Sequence, residues 1–351
     1  MERGQSAPAA LLSRVLENRQ VAPGCYLMRI ENEHVARCTL PGQFVHVRLP
    51  GTSLDPLLRR PFSVCGTCPD DRDFSIVYQV VGRGTTLLST LCPGDELDVL
   101  GPLGRGFEMP RARIGREDGG IATREARVGE LDAEARLDGR TQACAGRVVL
   151  VAGGLGIAPL AMLADALCRA GEGLVLIAGA RNAETLRGLL SLVHASGLGR
   201  SGLSESATGR ETCGTERAAA PGASEADGGR GFGPQDACPT FEALTVTEDG
   251  SMGGRGLATD VLRDVLARGR VTCVYASGPA GMLREVARLS EAFGVRAQVS
   301  LEERMACGIG ACLGCVVRAK GKGSSGAPSY LRVCADGPVF WVEEVDLVAS
   351  G

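Results

Sequence analysis

The chain has 351 residues, of which 44% are hydrophobic and 23% are charged, and its formal net charge is -3 at pH 7. This is the composition of an ordinary globular protein long enough for two or three domains, and the negative charge disfavours nucleic acid or an anionic membrane as a partner. The uncharged stretch over residues 148–163 is interrupted by glycines and a proline and is too short for a membrane span, so we predict none.

The N-terminal part of the chain has the pattern of a β-barrel. Turn dipeptides such as Pro41-Gly42 separate short alternating or apolar runs, which lie at 25–30, 44–49, 74–81 and 96–100. Short strands at this spacing are typical of a small antiparallel barrel. We therefore predict a barrel domain over residues 9–108.

The run Arg59-Arg60-Pro61-Phe62-Ser63-Val64 falls where a barrel strand is expected. An arginine beside a proline-fixed backbone presents a cation to a diphosphate, and a serine further on presents a hydroxyl to the edge of a flavin ring. The run Gly82-Arg83-Gly84-Thr85 follows, and backbone amides at a glycine-rich helix start attract anions. The order of these motifs indicates FAD, although the first run alone fits an ordinary edge strand equally well.

Two segments have the composition of surface insertions. Residues 111–140 include 14 charged residues and no aromatic one, and residues 196–240 are rich in Gly, Ala, Ser and Glu. Such sequences bury too little apolar surface to offset the entropy lost on ordering. We predict mobile insertions at 109–145 and 196–240.

From residue 146 onward, strands and helices alternate. The apolar runs predict strands at 148–152, 174–178 and 272–276, and helical periodicity predicts helices at 160–170 and 282–293. Alternation of this kind is typical of βαβ units and a parallel sheet. An α/β domain is therefore predicted over residues 146–300.

Two glycine-rich turns of this domain each follow a strand and open a helix. The first contains Gly153, Gly154 and Gly156, and the second contains Gly278 and Pro279. This is the context of a dinucleotide fingerprint, although a proline replaces its last glycine. Two such turns meet at the carboxyl edge of a parallel sheet, where ligands bind. They predict a nicotinamide site without deciding between NADH and NADPH, and a purely structural turn is the alternative for either one alone.

Near the C-terminus, Cys307, Cys312 and Cys315 are followed at a distance by Cys334. The spacing C-x4-C-x2-C with a distant fourth cysteine is the plant-type [2Fe-2S] arrangement. The intervening glycines let a short loop wrap a small cluster, and their amides can donate to its sulfurs. Zinc is the alternative, but structural zinc prefers paired CxxC knuckles. We predict a [2Fe-2S] lobe over 301–351.

The other cysteines carry less information. Fourteen cysteines in a chain of this length are too dilute for a disulfide scaffold, and the polar residues 1–8 do not resemble a secretory signal. We therefore expect reduced thiols and a cytoplasmic protein. Cys65 and Cys68 form a further CxxC without a second pair, for which a redox or zinc role is a minor alternative.

Taken together, these motifs resemble the ferredoxin-reductase superfamily and, within it, the electron-transfer subunits of B-type (NAD-dependent) dihydroorotate dehydrogenases. The resemblance rests on the runs Arg60–Ser63, Val77–Gln79, Gly84-Thr85, Gly101–Gly104, Gly153–Pro159, Thr247–Ser251 and Cys334–Phe340. It implies that FAD is held by Arg60, Pro61, Phe62, Ser63, Val77, Tyr78, Gln79, Gly84 and Thr85, and the cluster by Cys307, Cys312, Cys315 and Cys334. The chain departs from the family pattern in its two insertions and in the 18 residues between the last two predicted cluster ligands.

The resemblance implies a relay of electrons among NAD(H), FAD and the cluster, so no acid or base of this chain is predicted to be catalytic. No length remains for a substrate-oxidising (β/α)8 barrel of about 250 residues. An FMN-containing catalytic subunit would then oxidise dihydroorotate for pyrimidine biosynthesis, in a heterotetramer with two copies of each chain.

Three other functions stay open on the sequence. The first is the small subunit of an NADH-dependent ferredoxin:NADP oxidoreductase, a family in which an aspartate tends to replace the first cluster cysteine. The second is a redox sensor without catalytic activity. The third is another FAD/[2Fe-2S] reductase component, such as that of an oxygenase, whose ferredoxin part normally has a further strand-rich domain of its own. Cys307 disfavours the first alternative, and the absence of a recognisable signalling segment disfavours the second.

Overall fold

The computed structural model describes residues 7–49, 55–68, 70–110, 146–195, 210–212, 241–322 and 327–348. The predicted insertion 109–145 lies outside these ranges except for its first two residues, and 196–240 lies outside them except for 210–212. That these segments are mobile insertions therefore stays a prediction. No helix in the described ranges is long and apolar enough to cross a membrane.

Six antiparallel strands form the N-terminal domain. They are β1 (Ala9–Ala22), β2 (Cys25–Glu31), β3 (Phe44–Arg48), β4 (Arg60–Thr67), β5 (Asp73–Gln79) and β6 (Glu96–Leu103), with the short helices α1 (Glu33–Cys38) and α2 (Arg83–Ser89) between them. The strands close in the order β1-β2-β5-β4-β3-β6, which confirms the predicted barrel. Side chains alternate across each strand, so Val45 and Val47 of β3 fill the barrel core with Ile76 of β5.

The second domain is a mostly parallel sheet covered by helices. Its elements are β7 (Arg147–Gly153), α3 (Ile157–Arg169), β8 (Leu174–Ala180), α4 (Ala183–Ala195), β9 (Arg210–Thr212), β10 (Phe241–Thr247), β11 (Gly254–Arg255), α5 (Ala258–Ala267), β12 (Val271–Ser277), α6 (Ala280–Ala292) and β13 (Ala297–Ser300). Alternate residues of β7 and β8 pack on opposite faces, against α3 and α4 on one side and α5 and α6 on the other. The α/β prediction is confirmed.

The chain leaves this sheet after β13, forms the cysteine loop and the hairpin β14 (Val316–Lys322) and β15 (Pro328–Arg332), and returns as β16 (Val339–Trp341). Strand β16 pairs antiparallel with β13, which completes the order β11-β10-β8-β7-β12-β13-β16, with β9 alongside β10. At the base of this excursion the amide of Leu301 donates to the carbonyl of Pro338 at 2.9 Å. Residues 301–338, called the cluster lobe below, are therefore anchored to the sheet at both ends.

The cluster lobe also packs against the outside of the barrel. Phe44 and Leu103, from β3 and β6, share one apolar core with Cys315, Val317 and Cys334 of the lobe. This packing places the cysteine loop directly beside the barrel wall.

Candidate cofactor sites

The flavin motif predicted at residues 60–63 lies on β4, between β3 and β5. In the register with β3, Ser63 lies opposite Phe44, and Pro61 lies opposite His46. The guanidinium of Arg60 lies against the α-carbon of Gly84: a side-chain carbon on Gly84 would fall 2.2–2.6 Å from three guanidinium atoms. Two runs predicted separately to bind FAD are thus brought into contact, and the glycine leaves room for the arginine in this position.

Thr85 closes the first turn of α2. The amides of Val81 and Gly82 donate to its hydroxyl oxygen at 2.9 and 3.2 Å, and that hydroxyl donates to the Gly82 carbonyl at 2.9 Å. This network fixes the loop that carries Gly84, and it therefore fixes the backbone on which Arg60 rests.

Tyr78, also predicted at the flavin site, turns into the barrel. Its ring stacks on Tyr26 and lies 5.7 Å from the ring of Phe62, and its hydroxyl donates to the Asn18 amide oxygen at 2.9 Å. Burial raises the pKa of this phenol well above its usual range. A flavin contact from the run 77–79 would therefore come from the main chain, or from the exposed Gln79.

The two glycine turns predicted for the nicotinamide meet at the carboxyl ends of β7 and β12. A side-chain carbon on Gly156 would fall 2.0 Å from the Ser277 carbonyl oxygen, and one on Gly278 would fall 3.0 Å from the backbone of Gly153. Strands β7 and β12 are parallel neighbours, and the chain continues from them toward opposite edges of the sheet. This is a topological switch point, the position at which open α/β sheets bind ligands.

Sequence reasoning missed the hydroxyl of Ser277, which lies at this switch point. It is buried and has no hydrogen-bond partner among the described residues. The only signal in the sequence was its position, as the last strand residue before Gly278.

The four predicted cluster ligands come together in the cluster lobe. Hydrogen bonds from backbone amides to sulfur link them in two pairs, Cys307 with Cys312 and Cys315 with Cys334. Backbone amides point at these sulfurs: Gly310 donates to Cys334 at 3.1 Å, and Cys312 donates to Cys307 at 3.4 Å. Such amides compensate negative charge on thiolates and on a cluster held by them.

The spread of the four sulfurs distinguishes a binuclear cluster from a single zinc ion. A tetrahedral zinc with Zn–S bonds of about 2.3 Å holds all its sulfurs about 3.8 Å apart. In the described part of the chain, no three of these sulfurs lie within 4.8 Å of one another. Four sulfurs that are spread more widely than one zinc ion requires fit a [2Fe-2S] cluster, which has two iron atoms.

Backbone amides and a salt bridge prepare the cysteine loop to bind a cluster. Burial opposes ionisation of Cys307, but the amides of Ile309, Cys312 and Ala311 outweigh it and lower the pKa of this thiol to about 6. Arg332 donates to Asp336 through its backbone amide, Nε and Nη2, at 2.8, 2.9 and 2.8 Å. This clamp closes the turn that carries the fourth cysteine.

A six-stranded flavin-type barrel, a parallel nucleotide sheet and a four-cysteine lobe together define a ferredoxin-reductase-like module with an added iron–sulfur centre. The profile for the iron–sulfur cluster binding domain of dihydroorotate dehydrogenase B matches residues 302–346. The "dihydroorotate dehydrogenase B (NAD(+)), electron transfer subunit" of Geobacillus sp. strain WCH70 is 32% identical, over 95% of this chain and 97% of the relative. The subunit of the same name from Caldanaerobacter subterraneus is 34% identical over the same shares. The chain belongs to the family of dihydroorotate dehydrogenase B electron transfer subunits.

Solved structures agree on the fold. The structure of an NADH-dependent reduced ferredoxin-NADP oxidoreductase superposes with a TM-score of 0.64 at 27% identity and covers 97% of this chain and 91% of its own. A ferredoxin reductase of carbazole 1,9a-dioxygenase superposes with a TM-score of 0.51 at 15% identity, over 83% of this chain and 68% of its own. At that identity, the second match shows the fold alone.

Proposed function

We propose that this chain carries electrons from an FMN-containing dihydroorotate dehydrogenase catalytic subunit, through a [2Fe-2S] cluster and FAD, to NAD+. The observation that carries the proposal is the position of four cysteines, linked by amide-to-sulfur hydrogen bonds, on a lobe packed against β3 and β6 next to the strand that carries Arg60–Ser63. The relatives, which are electron transfer subunits of a NAD(+)-linked enzyme, support the route.

In this proposal residues 9–108 hold FAD, residues 146–300 hold the nicotinamide, and residues 301–351 hold the cluster. Arg60 provides the positive charge for the diphosphate, and Ser63 provides a hydroxyl for the flavin edge. When bound, FAD exchanges two electrons as hydride with the nicotinamide and single electrons with the cluster. The glycines at the ends of β7 and β12 leave the backbone accessible to the dinucleotide.

The contact with the catalytic subunit is proposed at the cysteine loop. Ile309 and Leu313 stand between the ligand cysteines, and they are 59% and 60% exposed. Met305, in contrast, packs against the core of the lobe. Exposed apolar side chains grouped around a redox centre are suited to a protein interface. We place the assembly in the cytoplasm, where thiols stay reduced and available to iron.

The proposal is tested with the purified chain and an FMN-containing catalytic subunit. We expect about two iron atoms and one FAD per chain, bleaching of the flavin by NADH, and no oxidation of dihydroorotate by the chain alone. Mixing the two subunits should give NAD+-linked oxidation of dihydroorotate. Zinc in place of iron, or oxidation of dihydroorotate without the partner, would contradict the proposal.

A further inference from the structure

A buried histidine lies between the flavin strand and the cysteine loop. His46 is on β3, opposite Pro61 of β4. Its neighbours Val45 and Val47 point into the barrel core, so alternation along the strand directs His46 to the outer wall. Phe44, on the same outer face, packs in the core that includes Cys315 and Cys334. The imidazole therefore belongs to the face that the cluster lobe covers.

The cysteine loop rests directly on this ring. A side-chain carbon on Gly308, the residue after Cys307, would fall 2.6 Å from the Nδ1 and Cε1 atoms of His46. Gly308 has a φ of +70°, so both its backbone conformation and its contact with the imidazole require glycine. The cysteine loop and the imidazole of His46 are thus closely packed against each other.

The ring is fully buried, yet it has no hydrogen-bond partner in the part of the chain that the structure describes: both Nδ1 and Nε2 are unpaired. Burial, with a smaller effect of the Arg59 charge, lowers the pKa of His46 to about 4, so the imidazole is neutral at pH 7 and keeps one N–H donor. A buried donor without an acceptor is destabilising, because nothing compensates for its lost hydration. A partner outside the polypeptide is therefore expected.

We propose that His46 is a positioning residue that donates a ring N–H to a sulfur of the [2Fe-2S] centre, ties the cluster to the flavin barrel, and makes the cluster easier to reduce. The inference rests on the proposed function, because it needs a cluster on the four cysteines. A sulfur acceptor is favoured over the flavin because the observed contact is with the cysteine loop, one residue from Cys307. Reduction adds negative charge to the sulfurs, so a donor stabilises the reduced form more than the oxidised form.

Histidine labelling gives a direct test, because the chain has only three histidines: His34, His46 and His194. We would incorporate 15N-histidine and record pulsed EPR spectra of the reduced cluster. A nitrogen coupling is expected in the wild-type chain and in the control variant His34→Gln, and it should be lost in His46→Phe. A loaded wild-type cluster with no histidine coupling would overturn the inference, and this measurement does not depend on how any variant folds.

Redox titration provides the second readout. With iron loading intact, His46→Phe should lower the equilibrium constant for one-electron reduction of the cluster about tenfold, which corresponds to about 59 mV. His46→Gln, which keeps an N–H donor, should recover part of this shift. An unchanged cluster potential in loaded His46→Phe, or a shift confined to the flavin, would refute the inference. A wild-type chain without any cluster would instead overturn the proposed function itself.

Discussion

Gly156 offers the sharpest test of the nucleotide site. In the Gly156→Ala variant the new methyl group would lie 2.0 Å from the Ser277 carbonyl oxygen and 2.7 Å from the Gly278 amide nitrogen. An ordinary contact needs about 3.5 Å, so the end of β12 would have to move about 1.5 Å away from β7. Both strands are central in the sheet, and the atoms in contact belong to the backbone, so no side-chain rotation relieves the overlap. We expect a loss of about 3 kcal/mol in stability, the upper end of the range for overpacking.

The same displacement separates the two glycine turns that would hold the nicotinamide. A misplacement of about 1 Å at a reacting centre can cost on the order of 100-fold in rate, so reduction of bound FAD by NADH should slow by about that factor. Chemical unfolding and stopped-flow flavin absorbance measure the two effects. Gly281→Ala is the matched control: it lies at the start of α6 with no close neighbour, and it should be neutral or slightly stabilising. Wild-type stability and hydride transfer in Gly156→Ala would refute the reasoning.

Further predictions concern the cluster lobe. Cys312→Ser should lower iron content and block electron transfer between FAD and the catalytic subunit while NADH still reduces FAD, and loss of flavin reduction in the folded variant would contradict the proposed order of carriers. Asp336→Asn should lose iron to a chelator about tenfold faster, because it opens the clamp on the fourth ligand; Glu343→Gln, which weakens an exposed ion pair, serves as its control. Ile309→Glu should weaken binding to the catalytic subunit about tenfold with iron content unchanged. If that variant and the control Phe293→Glu bound the catalytic subunit with equal affinity, the interface would not lie at the cysteine loop.

The sequence predicted those features that depend on local pattern. Alternation located β2, β3 and β5 to within about two residues, and the predicted starts of α3 and α6 fall three and two residues after the observed ones. The spacing of the four cysteines predicted a common site, because three of them share one loop. In each case the signal lies within a few neighbouring residues.

Features that depend on tertiary packing could not be predicted in this way. Tyr78 is in a correctly predicted strand, but which face its ring occupies follows from closure of the barrel around Tyr26. His46 is one alternating residue of a strand, and only the folded cysteine loop covers it. Strand β16 is three residues long, and its place beside β13 depends on the whole excursion between them.

The double attachment of the cluster lobe has a consequence for how electrons reach the flavin from the catalytic subunit. A redox centre on a single flexible linker can move between its electron donor and its electron acceptor, and this movement then limits the rate of electron transfer. Here β13 and β16 hold both ends of the lobe, and a backbone hydrogen bond between Leu301 and Pro338 joins the two ends. The lobe therefore cannot hinge freely, and the distance between the cysteines and the barrel wall is set by the fold. A catalytic subunit must therefore dock at a fixed position, and the rate at which its electrons enter the cluster depends on how it docks rather than on the movement of a domain.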